Sequence, residues 1–175
     1  MTRRSIPVNH FMLHPVAAWN GKGLLLTSGD FSAGKYNAMT VGWGSVGYMW
    51  RMPFVQVVVR PARYTFEFME KYDTFTVCAF PKEYHQALSL LGTKSGRDGD
   101  KIAAAGLTLA ASTCTAAPCY DQAQLVIECR KIYWQNMDPE HFLDPAIARI
   151  YHEKDYHRIY YGEILAVQGT DQYRT

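Results

Sequence analysis

The segment Phe54-Val55-Gln56-Val57-Val58-Val59 decides the fold. Its residues alternate between a face of β-branched side chains and a face that is mostly apolar, which is typical of a strand with both faces covered. Pro53 and Pro61 bound the segment, as expected at the ends of a ladder that needs every backbone N–H. The pattern predicts a central strand.

Further elements are predicted outward from this strand. Additional strands are expected at 24–27, 38–43, 75–79, 122–134 and 158–167. Helices are expected at 65–71, 81–91 and 101–105, with helical turns over 139–151. Thr65 and Asp100 are the predicted N-caps, and Gly92 is a predicted stop. The tetrapeptide Asn20-Gly21-Lys22-Gly23 has the composition of a hairpin turn.

Many strands and few helices indicate a mainly β fold, a closed or nearly closed β-barrel with short helices, because closure removes sheet edges. A doubly wound parallel sheet needs a helix between successive strands, and residues 38–59 leave no room for one. The 175 residues are the length of one ordinary domain, so a single domain over 1–175 is predicted.

Composition narrows the class of partner. Hydrophobic residues make up 48% and charged residues 19%, which excludes a disordered chain. A net charge of +2 is too small for a general nucleic-acid binder, and no apolar run is long enough to span a membrane. Four cysteines without a CxxC pair are interpreted as buried thiols in a reducing compartment, the cytoplasm.

Two apparent motifs lack the context they require. Gly42-Trp43-Gly44-Ser45-Val46-Gly47 matches GxGxxG, but a dinucleotide fingerprint must open a helix, and here a strand follows. His10 and His14 have the spacing of two metal ligands on a helix, yet Pro15 follows at once and no Glu stands between them. No metal site is predicted.

Two basic segments have the chemistry of a phosphate site. Arg60-Pro61-Ala62-Arg63-Tyr64-Thr65 leads into one predicted helix, and the stretch from Gly92 to Lys101 leads into another. Both place cations and hydroxyls near a helix start, with glycines that allow the backbone to approach an anion. The alternative is that these cations only cluster at solvated turns.

The segment 37–45 alternates small polar and amphipathic side chains, among them Asn37, Thr40 and Ser45. A flat heteroaromatic ring with carbonyl and imide edges could accept and donate hydrogen bonds along it. The alternative is an ordinary strand that ends in a glycine turn.

These segments together resemble a known family. Asn37-Ala38-Met39-Thr40 with Trp43 is followed by Arg60-Pro61-x-Arg63-Tyr64-Thr65, then by Ser95-Gly96-Arg97-Asp98-x-Asp100-Lys101 and by His157-Arg158-Ile159-x-x-Gly162-Glu163-Ile164. In order and separation they are similar to the flavin reductase-like family, and the flavoredoxin branch is the most similar. The resemblance spans roughly residues 11 to 167.

The resemblance implies an FMN-binding split β-barrel that forms a homodimer, with the flavin near the subunit interface. It implies that the 37–45 segment lines the flavin ring and that Arg60, Arg63, Thr65, Ser95, Arg97 and Lys101 hold the phosphate. Cys78 departs from the pattern, because the family often has Asn there. The cofactor-binding residues implied are Asn37, Ala38, Met39, Thr40, Trp43, Ser45, Arg60, Arg63, Tyr64, Thr65, Ser95, Gly96, Arg97 and Lys101.

His157 is the candidate catalytic residue, because the resemblance places it at a position near the nicotinamide side in reductase members. A histidine at a strand start is the alternative. The expected function is an FMN-dependent oxidoreductase that passes hydride or electrons from NADH, NADPH or a redox protein partner to an acceptor, with the chemistry supplied by the flavin. One alternative is a non-catalytic FMN-binding electron carrier or flavin-storage module. A third is a pyridoxamine-phosphate oxidase-like relative, or a member that has lost its cofactor.

Overall fold

Antiparallel pairing organises the chain in the computed structural model, which describes residues 2–20 and 23–175. The strands are β1 (Arg4–Ile6), β2 (Leu24–Asp30), β3 (Lys35–Val41), β4 (Gly44–Met49), β5 (Met52–Val59), β6 (Thr74–Ala79), β7 (Leu109–Ala110), β8 (Cys119–Tyr120), β9 (Leu125–Asn136) and β10 (Arg158–Gly169).

The helices are short. They are α1 (Pro15–Asn20), α2 (Tyr64–Lys71), α3 (His85–Thr93), α4 (Lys101–Ala104) and α5 (Pro145–Ala148). Single 3-10 turns lie at Val8–His10, Lys82–Tyr84, Pro139–His141 and Asp171–Tyr173. Within the described ranges, no helix is long and apolar enough to cross a membrane.

Eight strands form one sheet in the order β3-β2-β6-β9-β10-β5-β4, with β1 paired to β10 beside this path. The two ends of the order, β3 and β4, are consecutive in the chain and are joined by Gly42 and Trp43 alone. The sheet therefore curls until its two edges meet at one corner. The fold is mainly β, as the sequence predicts.

Two apolar clusters hold this architecture. The first fills the concave side of the sheet with residues such as Leu26, Val57, Phe75 and Ile127, and Met69 of α2 closes it at one end. The second lies on the outer side under α3 and α4, and includes Ala38, Leu88, Leu91, Ile102 and Tyr120. Burial on both faces explains why the strands are so rich in apolar residues.

Three strand predictions need correction. β5 begins at Met52, so Pro53 lies within it, and β5 is next to the end strand β4 instead of central. This difference arises because β4 was not predicted: its small and polar residues give no apolar alternation. β3 begins at Lys35 and ends at Val41, which leaves Trp43 in the connection between the two sheet edges.

The helix signals were right in one case and wrong in two. Asp100 caps α4, because its carboxylate accepts from the N–H groups of Ile102 and Ala103 at 3.1 and 3.0 Å. The residue before α2 is Arg63, so Thr65 is not the N-cap. α3 continues through Gly92 to Thr93. The predicted turn at 20–23 includes Gly21 and Lys22, which lie outside the described residues.

Candidate functional site

The loop between α3 and α4 folds onto the first half of β3. Gly96 of this loop lies so close to Asn37 and Tyr64 that a Cβ atom there would collide with both side chains. The Asn37 amide, itself buried, donates to the Thr65 hydroxyl at 2.8 Å. Four predicted site residues from three distant segments are thereby brought together.

Lys101 and Arg63 add positive charge beside this contact. The Lys101 ammonium is buried and donates to the carbonyls of Leu91 and Lys94 at 2.9 and 3.0 Å. The Arg63 guanidinium donates to the Gly92 carbonyl at 2.6 Å. Within residues 2–20 and 23–175 neither cation forms an ion pair with a carboxylate.

Burial, with the nearby Arg63 charge as a second cause, lowers the pKa of Lys101 to about 8. Burial also lowers the pKa of Arg63. A buried ammonium beside a half-buried guanidinium, neither with an anionic partner, is unfavourable unless an anion joins them. The arrangement therefore fits a phosphate or another compact anion.

Arg97 lies next to these cations but, unlike them, forms an ion pair with a carboxylate. Its guanidinium is 2.5 Å from the Glu67 carboxylate, and it also lies 4.8 Å from the centre of the Tyr64 ring. Its backbone N–H donates to the Ser95 hydroxyl at 3.2 Å. Both partners of the ion pair are about half exposed, so water weakens the attraction. Arg97 is therefore an exposed neighbour of the two cations, and the Glu67 carboxylate already compensates its charge.

A cavity of about 540 Å³ opens beside this group. Asn37, Tyr64, Gly96 and Lys101 line one part of it. Sequence analysis did not predict several of the other lining residues as site residues, among them Lys35, Tyr36, Phe68, Lys71 and Tyr72. One signal was available, because Tyr64, Phe68 and Tyr72 follow each other at intervals of four, the spacing of one helix face.

A smaller cleft of about 190 Å³ lies at the other end of β3. Its lining includes Met39, Thr40, Trp43, Arg60 and His157. The Trp43 indole is half exposed and lies 5.0 Å from the His157 ring, centre to centre. An accessible aromatic face thus borders a cleft whose polar groups come from Thr40, Arg60 and His157.

His157 is buried at the base of this cleft. Its Nδ1 shares a 2.8 Å hydrogen bond with the Tyr151 hydroxyl, which fixes the ring. The Arg60 guanidinium carbon lies 4.8 Å from the centre of the Tyr151 ring. Burial and, second, the Arg60 charge lower the pKa of His157 to about 4, so the ring is neutral at pH 7. Sequence analysis gave no signal for Tyr151.

The predicted site residues fall into two groups. Arg60 lines the cleft with His157 and does not line the cavity. Ala38 is fully buried beneath the outer helices, and the Ser45 hydroxyl donates to Gln56 at 2.7 Å. Neither of these two residues lines the cavity or the cleft.

One contact joins the two groups. Gly92 packs against Thr40 so closely that a Cβ would collide with the Thr40 hydroxyl. Thr40 lines the cleft, and the Gly92 carbonyl accepts from Arg63 beside the cavity. The cavity and the cleft are therefore neighbours along β3.

The curled antiparallel sheet, open between β3 and β4, defines the class of split β-barrels. The family model named "flavin reductase like domain" matches residues 21–174. The chain belongs to the flavin reductase-like family, as the sequence resemblance implied. A search of curated protein sequences finds no significant match.

Solved structures share the fold. An FMN-binding domain of a flavin reductase-like enzyme from Shewanella baltica has a TM-score of 0.68 and 18% identity, covering 98% of this chain and 78% of that one. Flavoredoxin of Desulfovibrio vulgaris has a TM-score of 0.67 and 20% identity, with coverage of 92% and 73%. Flavoredoxin from Methanosarcina acetivorans has a TM-score of 0.66 and 22% identity, with coverage of 100% and 79%.

Proposed function

We propose that the protein is an FMN-binding oxidoreductase that passes hydride or electrons from NADH, NADPH or a redox protein partner to an acceptor. The observation that carries this proposal is the pair Lys101 and Arg63, a buried and a half-buried cation without a carboxylate partner in the described part of the chain, beside the first half of β3. Family membership and the names of the FMN-binding structural neighbours add support.

FMN has a charged end and a flat, uncharged end, and the two groups of residues fit these in turn. Arg63, Lys101 and the glycine-containing loop around Gly96 would hold the phosphate. Thr40 and Trp43 would border the ring at the cleft, with Arg60 as a nearby positive charge. When bound, FMN supplies the hydride and electron chemistry.

His157 would position the electron donor. Because its pKa is about 4, the ring offers a neutral nitrogen at pH 7, and the Tyr151 hydrogen bond holds its orientation. A neutral imidazole accepts or donates one hydrogen bond without adding charge to the cleft.

The visible spectrum of freshly purified protein tests flavin binding, and anaerobic mixing with NADH or NADPH tests turnover. Oxidised flavin absorbance that is lost within seconds of mixing supports the oxidoreductase. Absorbance that persists until a reduced protein partner is added favours the alternative, a non-catalytic electron carrier. Protein that takes up no added FMN contradicts both.

We propose in addition that the protein is a homodimer. Trp50, in the turn between β4 and β5, and Tyr133, on β9, are both exposed, and their rings lie 5.6 Å apart. Contiguous exposed aromatic surface of this kind marks an interface. Light scattering should report a dimer for the wild type and a monomer for Trp50→Glu, whereas Lys82→Glu, an exposed change elsewhere, should leave the dimer intact.

The cytoplasm is the proposed location. All four cysteines are free, and Cys78, Cys119 and Cys129 are buried. Cys114 is exposed, contrary to the prediction that all four are buried. A free exposed thiol is compatible with a reducing compartment.

A further inference from the structure

A long loop joins the last two strands of the sheet. β9 ends at Asn136 and β10 begins at Arg158, and we call the intervening residues 137–157 the β9–β10 loop. The loop is closed at its base, because the Met137 N–H donates to the His157 carbonyl at 2.9 Å. Only its last residue, His157, has a role in the proposed function.

One further side chain of the β9–β10 loop reaches the cleft. Tyr151 is 4% exposed, although the helix α5 before it has no buried residue. Its ring is stacked on Phe142, with centroids 5.7 Å apart and planes at 14°, and its centroid lies 5.0 Å from that of Tyr156. It meets the His157 ring edge to face at 5.5 Å. These aromatic contacts within the loop hold the Tyr151 hydroxyl against His157.

The Tyr151 hydroxyl has two acceptors within reach. Its oxygen lies 2.8 Å from Nδ1 of His157 and 3.2 Å from the Met137 sulfur. An unprotonated imidazole nitrogen is a better acceptor than a thioether sulfur, so the hydroxyl proton points to Nδ1. Burial raises the pKa of the Tyr151 hydroxyl, which therefore keeps its proton at pH 7 and can donate it.

This hydrogen bond decides which nitrogen of the His157 ring carries the proton. A neutral imidazole has one N–H, and an Nδ1 that accepts from Tyr151 leaves the proton on Nε2. Nε2 forms no hydrogen bond with the described residues, among which Trp19 Nε1 is the only buried side-chain nitrogen or oxygen without a partner. Nε2 is therefore accessible, and it belongs to a ring that lines the cleft.

We infer that Tyr151 is a positioning residue, whose hydroxyl holds the His157 proton on Nε2 and so directs a hydrogen-bond donor into the cleft. Nε2 and the Arg60 guanidinium then both offer N–H groups there, which suits a ligand that presents a carbonyl or carboxylate oxygen. The inference rests on the proposed function, in which His157 positions the electron donor.

NMR of protein labelled with nitrogen-15 in its histidine rings shows which nitrogen is protonated, and His157→Gln assigns the His157 signals. We expect the wild type to carry the proton on Nε2 alone. Tyr151→Phe keeps the stacked ring and loses only the hydroxyl, so its His157 signals should move to those of a mixture of both tautomers.

Two further variants complete this measurement. Met137→Leu removes the competing acceptor and should leave the His157 proton on Nε2. Tyr156→Phe is the matched control, a half-buried tyrosine of the same aromatic group that does not line the cleft, and its His157 signals should equal those of the wild type.

Anaerobic mixing of the FMN-loaded protein with NADH or NADPH measures the consequence for the reaction. Tyr151→Phe should need several-fold more reductant to reach half the limiting rate of flavin reduction, because the ring no longer presents one fixed N–H. Its affinity for FMN should equal that of the wild type. Tyr156→Phe should change neither quantity, and circular dichroism establishes that both variants are folded.

The inference is wrong if the wild type carries the proton on Nδ1, since the hydroxyl would then accept from His157 and donate to Met137. It is also wrong if Tyr151→Phe leaves the tautomer or the reductant requirement unchanged. Failure of the proposed function has a different signature, because the protein would then take up no FMN. The tautomers of the flavin-free wild type and Tyr151→Phe decide the inference in that case, and also where neither NADH nor NADPH reduces the flavin.

Discussion

At both ends of β3, burial beside an arginine lowers the pKa of a basic side chain, but the protonation states at pH 7 are opposite. At the cavity, burial and the charge of Arg63 lower the pKa of Lys101 to about 8. At the cleft, burial and the charge of Arg60 lower the pKa of His157 to about 4. At pH 7 the lysine therefore keeps its proton, whereas the histidine has lost its own.

The difference shows that burial beside an arginine does not by itself make a site charged or neutral. The outcome depends on how far the ordinary pKa lies from 7, about 10.4 for lysine and 6.5 for histidine. One end of β3 thus carries two cations, Arg63 and Lys101, whereas the cleft at the other end carries Arg60 alone beside a neutral imidazole. A ligand with a dianionic end and an uncharged ring matches this order.

The largest expected effect comes from removing the cation at the cavity. Lys101→Met should weaken FMN about 10- to 100-fold, because a charge-assisted hydrogen bond contributes about 1.5–3 kcal/mol. Riboflavin, which has no phosphate, should bind as before. Fluorescence titration of both ligands measures this.

Lys94→Met, an exposed lysine in the same loop, is the matched control and should bind FMN normally. Circular dichroism establishes that Lys101→Met is folded, since its ammonium also binds two backbone carbonyls. Equal loss of FMN and riboflavin would assign Lys101 a purely structural role.

The next effect is a pH dependence of FMN binding. A phosphate dianion beside Lys101 raises its pKa above the value of about 8 in the free protein. Binding therefore takes up a proton above pH 8, and affinity should fall, approaching tenfold per pH unit, as the pH rises from there. Titrations from pH 7 to 9.5 measure the slope. A profile for Lys101→Met as steep as that of the wild type would refute this linkage.

At the cleft, the expected change is one of stability. The pKa of His157 is about 4 in the folded protein and near 6.5 when unfolded, so between these values the unfolded chain binds more protons. The free energy of unfolding should therefore fall as the pH is lowered from 6.5 towards 4. Thermal unfolding of the wild type and His157→Gln gives the difference, and identical pH dependence in both would contradict the depressed pKa.

Replacing Arg60 separates the two causes of the low His157 pKa, burial and the Arg60 charge. Arg60→Met should raise the pKa of His157 only part of the way towards 6.5, because burial is the larger cause and Arg60 the second. NMR titration of the imidazole protons reports the pKa directly. Arg51→Met, an exposed arginine that lines neither the cleft nor the cavity, should leave it unchanged.

The smallest effect concerns Arg97, whose charge Glu67 compensates. Glu67→Gln should free Arg97 and strengthen FMN binding about two- to fivefold, a modest gain because the pair is half exposed. The gain should diminish in high salt, where exposed charges are screened. An unchanged FMN affinity would show that Arg97 lies too far from the phosphate to contribute.

Local patterns predicted much of the fold. The valine alternation in β5, the apolar runs of β6 and β9 and the Asp100 cap each depend on neighbours in sequence. β4 was not predicted, because its pairing with β5 depends on the chain reversal between the two strands. In that reversal Trp50 and Arg51 have positive φ values of 53° and 61°. No Asn-Gly or Gly-Gly signal marks that turn.

The candidate site was predictable in its residue types and only partly in its grouping. Arg60 and Arg63 are three residues apart, yet the chain turns between them. Arg60 lines the cleft, whereas Arg63 donates to the Gly92 carbonyl near the end of α3. Lys35 and Lys71, which both line the cavity, lie on different elements, at the start of β3 and the end of α2. Spacing along the sequence does not predict which residues from different elements come together in one site.

The sequence by itself determined the mainly β class, the family resemblance and the set of cations and glycines, because these depend on residue types and short-range order. Only the tertiary structure decided which cations are buried without an acidic partner and which are compensated. It also decided that His157 is neutral while Lys101 is charged. Burial and proximity set these properties, and both arise when segments far apart in the chain pack together.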